Sequence, residues 1–205
     1  MPAPGFAIFD TETTGLSSDG PDRIIEIAIV HADANGMITG QWDTLIDPGR
    51  DTGPVQIHRI SSRDVALAPT FAQVAPQIVE FLSGRVLVAH NAQFDLRFLR
   101  AELGRLGYPT PEWPPTLCTM KLSKRFRVGA ASNKLGAACA DYGVDLRDAH
   151  RAMADTVATA QLLAAYMARH PTDPVWAESL AATAGSVWPS VGWESSDWYR
   201  REDAA

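Results

Sequence analysis

The stretch at residues 6–16, FAIFDTETTGL, carries the strongest indication of fold and chemistry in this chain. Four apolar residues are followed by polar ones and Gly15, which predicts a buried strand that ends abruptly. Side chains two apart on a strand share a face, so Asp10 and Glu12 point the same way if the strand reaches them. Two adjacent carboxylates repel each other, and a hard divalent cation such as Mg²⁺ or Mn²⁺ relieves that repulsion.

The composition is that of an ordinary globular protein. Of the 205 residues, 46% are apolar and 20% are charged, which predicts one domain with a sizeable core, or one domain plus a tail. The formal net charge of -6 argues against a protein that coats nucleic acid through a general basic surface. It leaves open a nucleic-acid enzyme that binds a few phosphates through metal ions.

Cysteine content and hydropathy bear on the compartment. Two cysteines, Cys118 and Cys139, are too few for a disulfide framework and are typical of a reducing cytosol, so a cytoplasmic protein is expected. Residues 1–5 lack the basic start and apolar core of a signal peptide. No apolar stretch of the sequence is long enough to cross a bilayer, so no membrane partner is expected.

The apolar patterns predict strands first, and then strands that alternate with helices. β-Branched residues and turn signals place three strands within residues 6–46, joined by short links and therefore antiparallel. Further strands are expected at 85–89 and 116–119, and helices at 70–82, 92–103, 134–142 and 151–169. This order favours a mixed α/β sheet with helices on both faces.

Three separated segments place acidic residues beside a strand end or a helix start. The first is Asp10 with Glu12, the second is HNAQFD at residues 90–95, and the third is HRAMAD at residues 150–155. Sites in open α/β sheets form where strands end and helices begin. We therefore expect the three segments to converge on one site.

The three segments together resemble the motifs of the DEDDh family of 3′→5′ exonucleases, the group that includes the proofreading subunits of bacterial DNA polymerase III. The first motif matches residues 9–16 and the second matches residues 89–95. The third matches His150 followed five positions later by Asp155. The resemblance covers residues 5–169.

This resemblance implies an α/β, ribonuclease-H-like fold, with a mixed five-stranded sheet of three antiparallel and two parallel strands flanked by helices. It also implies four carboxylates that hold two Mg²⁺ or Mn²⁺ ions and a histidine that acts as general base, namely Asp10, Glu12, Asp95, Asp155 and His150. Asp10 would lie between the ions, and Asp95 would reach its ion largely through water. Because a spacing of five is not one helix face, His150 is placed before the last long helix or at its start.

The chemistry of phosphodiester hydrolysis agrees with these roles. The substrate is anionic and repels hydroxide, and two ions about 4 Å apart can activate water, neutralise the phosphate and stabilise the leaving oxygen. A histidine with an unperturbed pKa of about 6.5 can accept the proton of the attacking water near neutral pH. His90 precedes Asp95 by the same five positions, yet a structural role at the strand end is expected for it. The alternative for the whole site is a binding module on the same fold without activity.

The resemblance further implies contacts with the terminal nucleotide by six residues: Thr11, Thr13, Thr14, Leu16, His58 and Asn91. Leu16 would wedge beside a base, or it would be a core leucine after an ordinary turn. Asn91 either faces the nucleotide or caps the helix that follows it. His58 either contacts the nucleotide or is an exposed loop histidine.

These observations predict a metal-dependent 3′→5′ exonuclease that acts on single-stranded or frayed DNA ends, releases nucleoside 5′-monophosphates and serves DNA replication or repair. An RNA-trimming exonuclease of the same family is an alternative, because a contact with a 2′-hydroxyl is too small a feature to find in a sequence. Another alternative is an accessory chain that docks on a DNA polymerase.

The last part of the chain differs in composition. Residues 1–170 are expected to form the exonuclease domain, and residues 171–205 a tail with four of the six tryptophans, Trp176, Trp188, Trp193 and Trp198. Disordered segments are usually poor in aromatic residues, so the tail is expected to pack on the domain, on a polymerase or on a second copy of the chain.

Overall fold

The computed structural model describes residues 5–109, 116–127, 131–146, 150–183 and 186–189. These ranges contain the strands β1 (Gly5–Thr13), β2 (Ile24–Asp33), β3 (Ile38–Leu45), β4 (Val86–Ala89) and β5 (Thr116–Cys118). They also contain the helices α1 (Val55–His58), α2 (Ser62–Val65), α3 (Phe71–Leu82), α4 (Gln93–Arg105), α5 (Thr119–Phe126), α6 (Leu135–Tyr142), α7 (Ala152–Arg169) and α8 (Pro174–Thr183). All elements expected from the sequence are present, and α1, α2, α5 and α8 are additional. None of the helices in these ranges is long and apolar enough to span a bilayer.

The strands form one sheet in the order β3-β2-β1-β4-β5. β1 and β2 pair antiparallel, as do β2 and β3. β4 pairs parallel with β1, and β5 pairs parallel with β4. The predicted arrangement of three antiparallel and two parallel strands is therefore confirmed, and β1 lies at the centre of the sheet.

The side chains of β1 alternate between two helical layers. Phe6 and Ile8 are fully buried in a core that includes α7, whereas Ala7 and Phe9 are fully buried in a core that includes α3 and α4. Adjacent strand residues point to opposite faces, so the polar residues that follow on β1 are also divided between the two layers.

The described part of the predicted tail packs onto the rest of the chain. Trp176 of α8 is buried in the α7-side core, where its ring lies 6.0 Å from that of Phe126. Trp188 is buried in the core on the α3 and α4 side. Trp193 and Trp198 lie outside the described residues. Packing on the domain is thus the arrangement seen for the first two tryptophans.

Candidate active site

Three carboxylates from two elements meet at the C-terminal end of β1. Alternation along β1 places Asp10 and Glu12 on the face toward α7, and Asp155 lies in the first turn of α7. One ligand oxygen from each of the three lies within 4.8 Å of the others. Ion–oxygen distances of about 2.0–2.6 Å allow such a separation around one cation.

Asp95 lies in the first turn of α4 and is fixed by Thr11, which points to the opposite face of β1 from Asp10. The Oδ1 atom of Asp95 accepts the Thr11 backbone N–H at 3.1 Å and the Thr11 hydroxyl at 2.8 Å. Asp95 is 2% exposed. Because Thr11 lies between Asp10 and Glu12 on β1, these hydrogen bonds bring Asp95 to the cluster, where its negative charge raises the pKa of Asp10. Contact of Thr11 with substrate stays a prediction.

Burial raises the pKa values of all four carboxylates, and repulsion from neighbouring carboxylates raises those of Asp10 and Glu12 further. Burial is the largest cause for Asp10, whose pKa rises well above its usual range, and the charges of Asp95, Asp155 and Glu12 add to it. The pKa of Glu12 rises to about 7, mainly through burial. Burial likewise raises the pKa of Asp95 to about 7, against the hydrogen bonds from Thr11. Four acids that resist joint ionisation favour a bound cation.

Asp155 and His150 are joined at the start of α7. The backbone N–H of His150 donates to Oδ2 of Asp155 at 3.1 Å. Within the described ranges, Oδ1 of Asp155 is buried and has no hydrogen-bond partner, which is costly unless a cation satisfies it. His150 is exposed and lies one residue before the N-cap Arg151, so its predicted position ahead of the helix is confirmed.

A fifth carboxylate, Glu26 of β2, completes the surroundings of the site. Glu26 lies directly opposite Glu12 in the antiparallel register, so both side chains share one face. It is 5% exposed, and its Oε2 accepts the backbone N–H of Ala152, the first residue of α7, at 3.1 Å. Glu26 was not among the residues expected at the site, and its signal in the sequence is a single charge within the apolar run of residues 24–30.

The loop after β1 is closed by hydroxyl groups. Thr13 donates to the carbonyl of Gly15 at 2.7 Å, and Thr14 donates to Oδ1 of Asp22 at 3.2 Å. Leu16 at the tip is 80% exposed, so the core-leucine alternative is wrong. Contact of Thr13, Thr14 and Leu16 with the nucleotide stays a prediction.

His58 is buried within a second loop, which approaches the first loop at Gly53. It is 2% exposed, its Nε2 bonds the carbonyl of Thr52 at 3.0 Å, and its Nδ1 accepts the N–H of Ile60 at 3.1 Å. Gly53 has φ 81°, and a Cβ there would lie 2.1 Å from the carbonyl oxygen of Thr14. The exposed-loop alternative for His58 is therefore wrong. Its contact with substrate stays a prediction that needs this loop to open.

His90 and Asn91, which follow β4, have different roles. His90 bonds the Thr119 hydroxyl through Nδ1 at 2.9 Å and the Asn133 carbonyl through Nε2 at 3.0 Å, which confirms a structural role. Asn91 has φ 70° and is exposed. The N-cap of α4 is Ala92, without a capping side chain, so the capping alternative for Asn91 is wrong. Its contact with the nucleotide stays a prediction.

Comparison with known families decides the class of protein. The model of the Exonuclease family (RNase_T) matches residues 7–163, a range that contains the whole carboxylate cluster. The chain belongs to the Exonuclease family. The resemblance drawn from the three motifs is thereby confirmed, and the chain is a nuclease.

The relatives include two proteins whose names refer to subunit epsilon of DNA polymerase III. The chain is 39% identical over 161 residues to a DNA polymerase III subunit epsilon-like protein of Rhodobacter capsulatus, covering 76% of this chain and 23% of that protein. It is 35% identical over 169 residues to the DNA polymerase III subunit epsilon of Treponema pallidum, covering 80% of this chain and 77% of that protein. The chain thus spans about a quarter of the first relative.

Solved structures of exonucleases share the fold. Exonuclease I of E. coli in complex with a dT13 oligonucleotide superposes with a TM-score of 0.73 at 20% sequence identity. The match covers 82% of this chain and 42% of that chain. At this identity the comparison establishes the fold alone, and it confirms the ribonuclease-H-like architecture expected from the sequence.

Proposed function

We propose that this exonuclease removes nucleotides from the 3′ end of single-stranded or frayed DNA and releases nucleoside 5′-monophosphates with the aid of divalent ions. The observation that carries the proposal is the convergence of Asp10, Glu12 and Asp155, whose ligand oxygens lie within 4.8 Å of one another. DNA is favoured as substrate because a relative covered over 77% of its length is named as a DNA polymerase III subunit.

The donor set fits Mg²⁺ or Mn²⁺. Carboxylate oxygens are the ligands these ions prefer, and the buried, partnerless Oδ1 of Asp155 supports a cation there. Asp10, Glu12 and Asp155 would hold two ions, and Asp95 would contribute largely through water. When bound, such ions polarise the phosphate and lower the pKa of bound water.

His150 is the proposed general base. It is exposed beside Asp155, to which its backbone N–H is bonded, so its ring is free to move over the cluster. Its backbone has φ 68°, a conformation in which histidine is one of the better tolerated residues. An imidazole at this position can accept a proton from the attacking water.

We assign the terminal nucleotide to the open side of the carboxylate cluster, between the exposed residues Leu16 and Asn91. This open side is called the mouth of the cluster. Leu16 projects from the loop after β1, and Asn91 follows β4 on the neighbouring strand. An exposed leucine offers an apolar surface to a base, and an exposed amide can donate to a phosphate or sugar oxygen. Thr11, Thr13 and Thr14 support this mouth through the hydrogen bonds described above and offer their remaining lone pairs to substrate.

The partners proposed besides nucleic acid are a DNA polymerase and a second copy of the chain. The name of the Treponema pallidum relative supports association with a polymerase. Residues 190–205, which carry Trp193 and Trp198, are the proposed docking segment, because Trp176 and Trp188 are already buried in the domain.

The test is the product pattern from matched DNA and RNA oligonucleotides labelled at the 5′ end, with Mg²⁺ or Mn²⁺. The proposal predicts a ladder of DNA products that shortens one nucleotide at a time, and early release of a mononucleotide from a 3′-labelled strand. Faster shortening of RNA would favour the RNA-trimming alternative. Internal cuts without a ladder, or a rate unaffected by excess chelator, would contradict the proposal.

A further inference from the structure

A groove that none of the clustered carboxylates lines lies between α4 and the start of α5. It has a volume of about 420 Å³ and is lined from α4 by Gln93, Leu96, Arg97 and Arg100. Spacings of three and four residues place these side chains on one face of α4. At 3.6 residues per turn, Asp95 points to the other side of the helix. This α4–α5 groove is therefore separate from the cluster that Asp95 borders.

The charge of the α4–α5 groove is opposite to that of the chain. The chain carries a net charge of -6, whereas Arg97 and Arg100 of α4 and Lys121 of α5 all line the groove. Among the described residues that line it, none is acidic. A cationic recess on an acidic protein binds anions selectively, because the rest of the surface repels them.

The floor of the groove is apolar. Leu96, Cys118 and Met120 also line the groove; Cys118 is 8% exposed, and Leu96 and Met120 pack against the core that contains it. A cationic rim over an apolar floor matches a nucleotide, whose phosphate is anionic and whose base has an apolar face. A phosphate alone would leave the apolar floor without a partner.

One end of the groove lies at the turn after β4. Asn91 of this turn lines the groove, and the proposed function assigns the same residue to the mouth of the cluster. A strand whose terminal nucleotide lies at the cluster can therefore pass Asn91 and the N-terminus of α4 into the groove. Only nucleotides upstream of the 3′ end can occupy the groove, because the proposed function places the 3′ end at the cluster.

We propose that the α4–α5 groove binds a nucleotide beyond the one directly upstream of the scissile bond, with its phosphate at Arg97 and Lys121 and its base on the floor around Leu96 and Met120. This inference rests on the proposed 3′→5′ activity and adds a subsite to it. The groove sets how strongly the enzyme prefers a long strand over a dinucleotide.

The test compares charge reversals inside and outside the groove. Arg97→Glu and Lys121→Glu alter the rim, and Arg63→Glu on α2 reverses an exposed cation outside it. Hydrolysis is measured on a dinucleotide and on a single strand of roughly 16 nucleotides. The ratio of kcat/KM for the long strand to that for the dinucleotide should fall about tenfold in each groove variant and stay at the wild-type value in Arg63→Glu.

Binding without hydrolysis separates this inference from the proposed function. Fluorescence anisotropy of a labelled dT oligonucleotide in chelator needs no catalysis. Each groove variant should bind more weakly, and the slope of log K against log salt should fall by about 0.7 per lost phosphate contact. Wild-type binding in both groove variants, or an equal loss in Arg63→Glu, would overturn the subsite. Absence of hydrolysis with the predicted binding pattern would instead overturn the proposed function alone.

Discussion

Oε2 of Glu26 accepts the backbone N–H of Ala152 at 3.1 Å and so ties β2 to the first residue of α7. The same helix places Asp155 in its first turn, and Glu26 faces Glu12 across the two strands. Two like charges directly opposite each other destabilise a sheet. The hydrogen bond to the start of α7 is a physical reason for a carboxylate at this position.

Two substitutions of Glu26 should separate the effect of its hydrogen bond from the effect of its charge. Glu26→Ala removes the acceptor for Ala152, so it should lower the free energy of unfolding by about 0.5–2 kcal/mol and lower kcat by about 100-fold through misplacement of Asp155. Glu26→Gln keeps an acceptor oxygen and removes a repelling charge, so it should recover most of kcat. Thermal unfolding and single-turnover rates measure both effects. Equal loss of kcat in the two variants would show that the charge itself is required.

Replacing His150 should remove the general base of the reaction without changing the affinity of the carboxylate cluster for metal ions. His150→Asn is the sharper variant, because asparagine tolerates the backbone φ of 68° that alanine does not. Its rate should fall by about 100- to 10,000-fold, while the Mn²⁺ affinity stays near the wild-type value. The acidic limb of the rate–pH profile should also change. Mn²⁺ affinity that falls together with the rate would identify His150 as a ligand.

Without divalent ions, the stability of the chain should fall as the pH rises. The folded state raises the pKa of Glu12 from 4.5 to about 7 and that of Asp95 from 3.8 to about 7. Between the pKa values of the unfolded and folded states, the folded chain binds more protons than the unfolded chain. The stability that these two carboxyl groups contribute is therefore present at acidic pH and is lost as the pH passes 7. Thermal melts in chelator measure it, and excess Mg²⁺ should remove the decline. A metal-free melting temperature that rises from pH 5 to pH 8 would be the opposite result.

Trp188 should contribute to stability and not to chemistry. Its backbone N–H donates to the Ser83 hydroxyl at 2.8 Å, and its side chain is 4% exposed. Trp188→Ala should lower the free energy of unfolding by about 3–5 kcal/mol without changing the rate per folded molecule. The matched control is Val187→Ala, because Val187 is 69% exposed and should change neither quantity. Denaturant titration gives the stability, and a loss of rate at unchanged stability would place Trp188 in the active site.

The parts of the site that follow from local patterns could be predicted from the sequence. Alternation along a strand predicts that Asp10 and Glu12 share a face, and helix periodicity predicts that Asp155 begins a helix. The structure confirms both predictions, because each depends on only a few neighbouring residues. The pairing of the three antiparallel strands follows in the same way from the short links between them, whereas the two parallel strands were implied by the family resemblance.

The parts that depend on distant residues could not be predicted. Thr11 and Asp95 are 84 positions apart, and no periodicity connects them. Glu26 lies within a run that predicts a buried strand, and only the fold shows that its carboxylate reaches Ala152, 126 positions away. The burial of His58 likewise depends on a loop whose course has no local signal.

The proposed mechanism requires that the carboxylate cluster hold the ions on which hydrolysis depends. Asp10→Asn separates this requirement from folding, because the amide keeps the shape of the side chain and removes the charge that faces both Glu12 and Asp155. Mn²⁺ binding by calorimetry and removal of nucleotides from a 5′-labelled DNA strand are measured on the same preparation. We predict that Asp10→Asn melts in chelator at or above the wild-type temperature, binds Mn²⁺ more weakly and does not shorten the strand. Wild-type shortening by Asp10→Asn, or by the unaltered chain in excess chelator, would contradict the proposed mechanism.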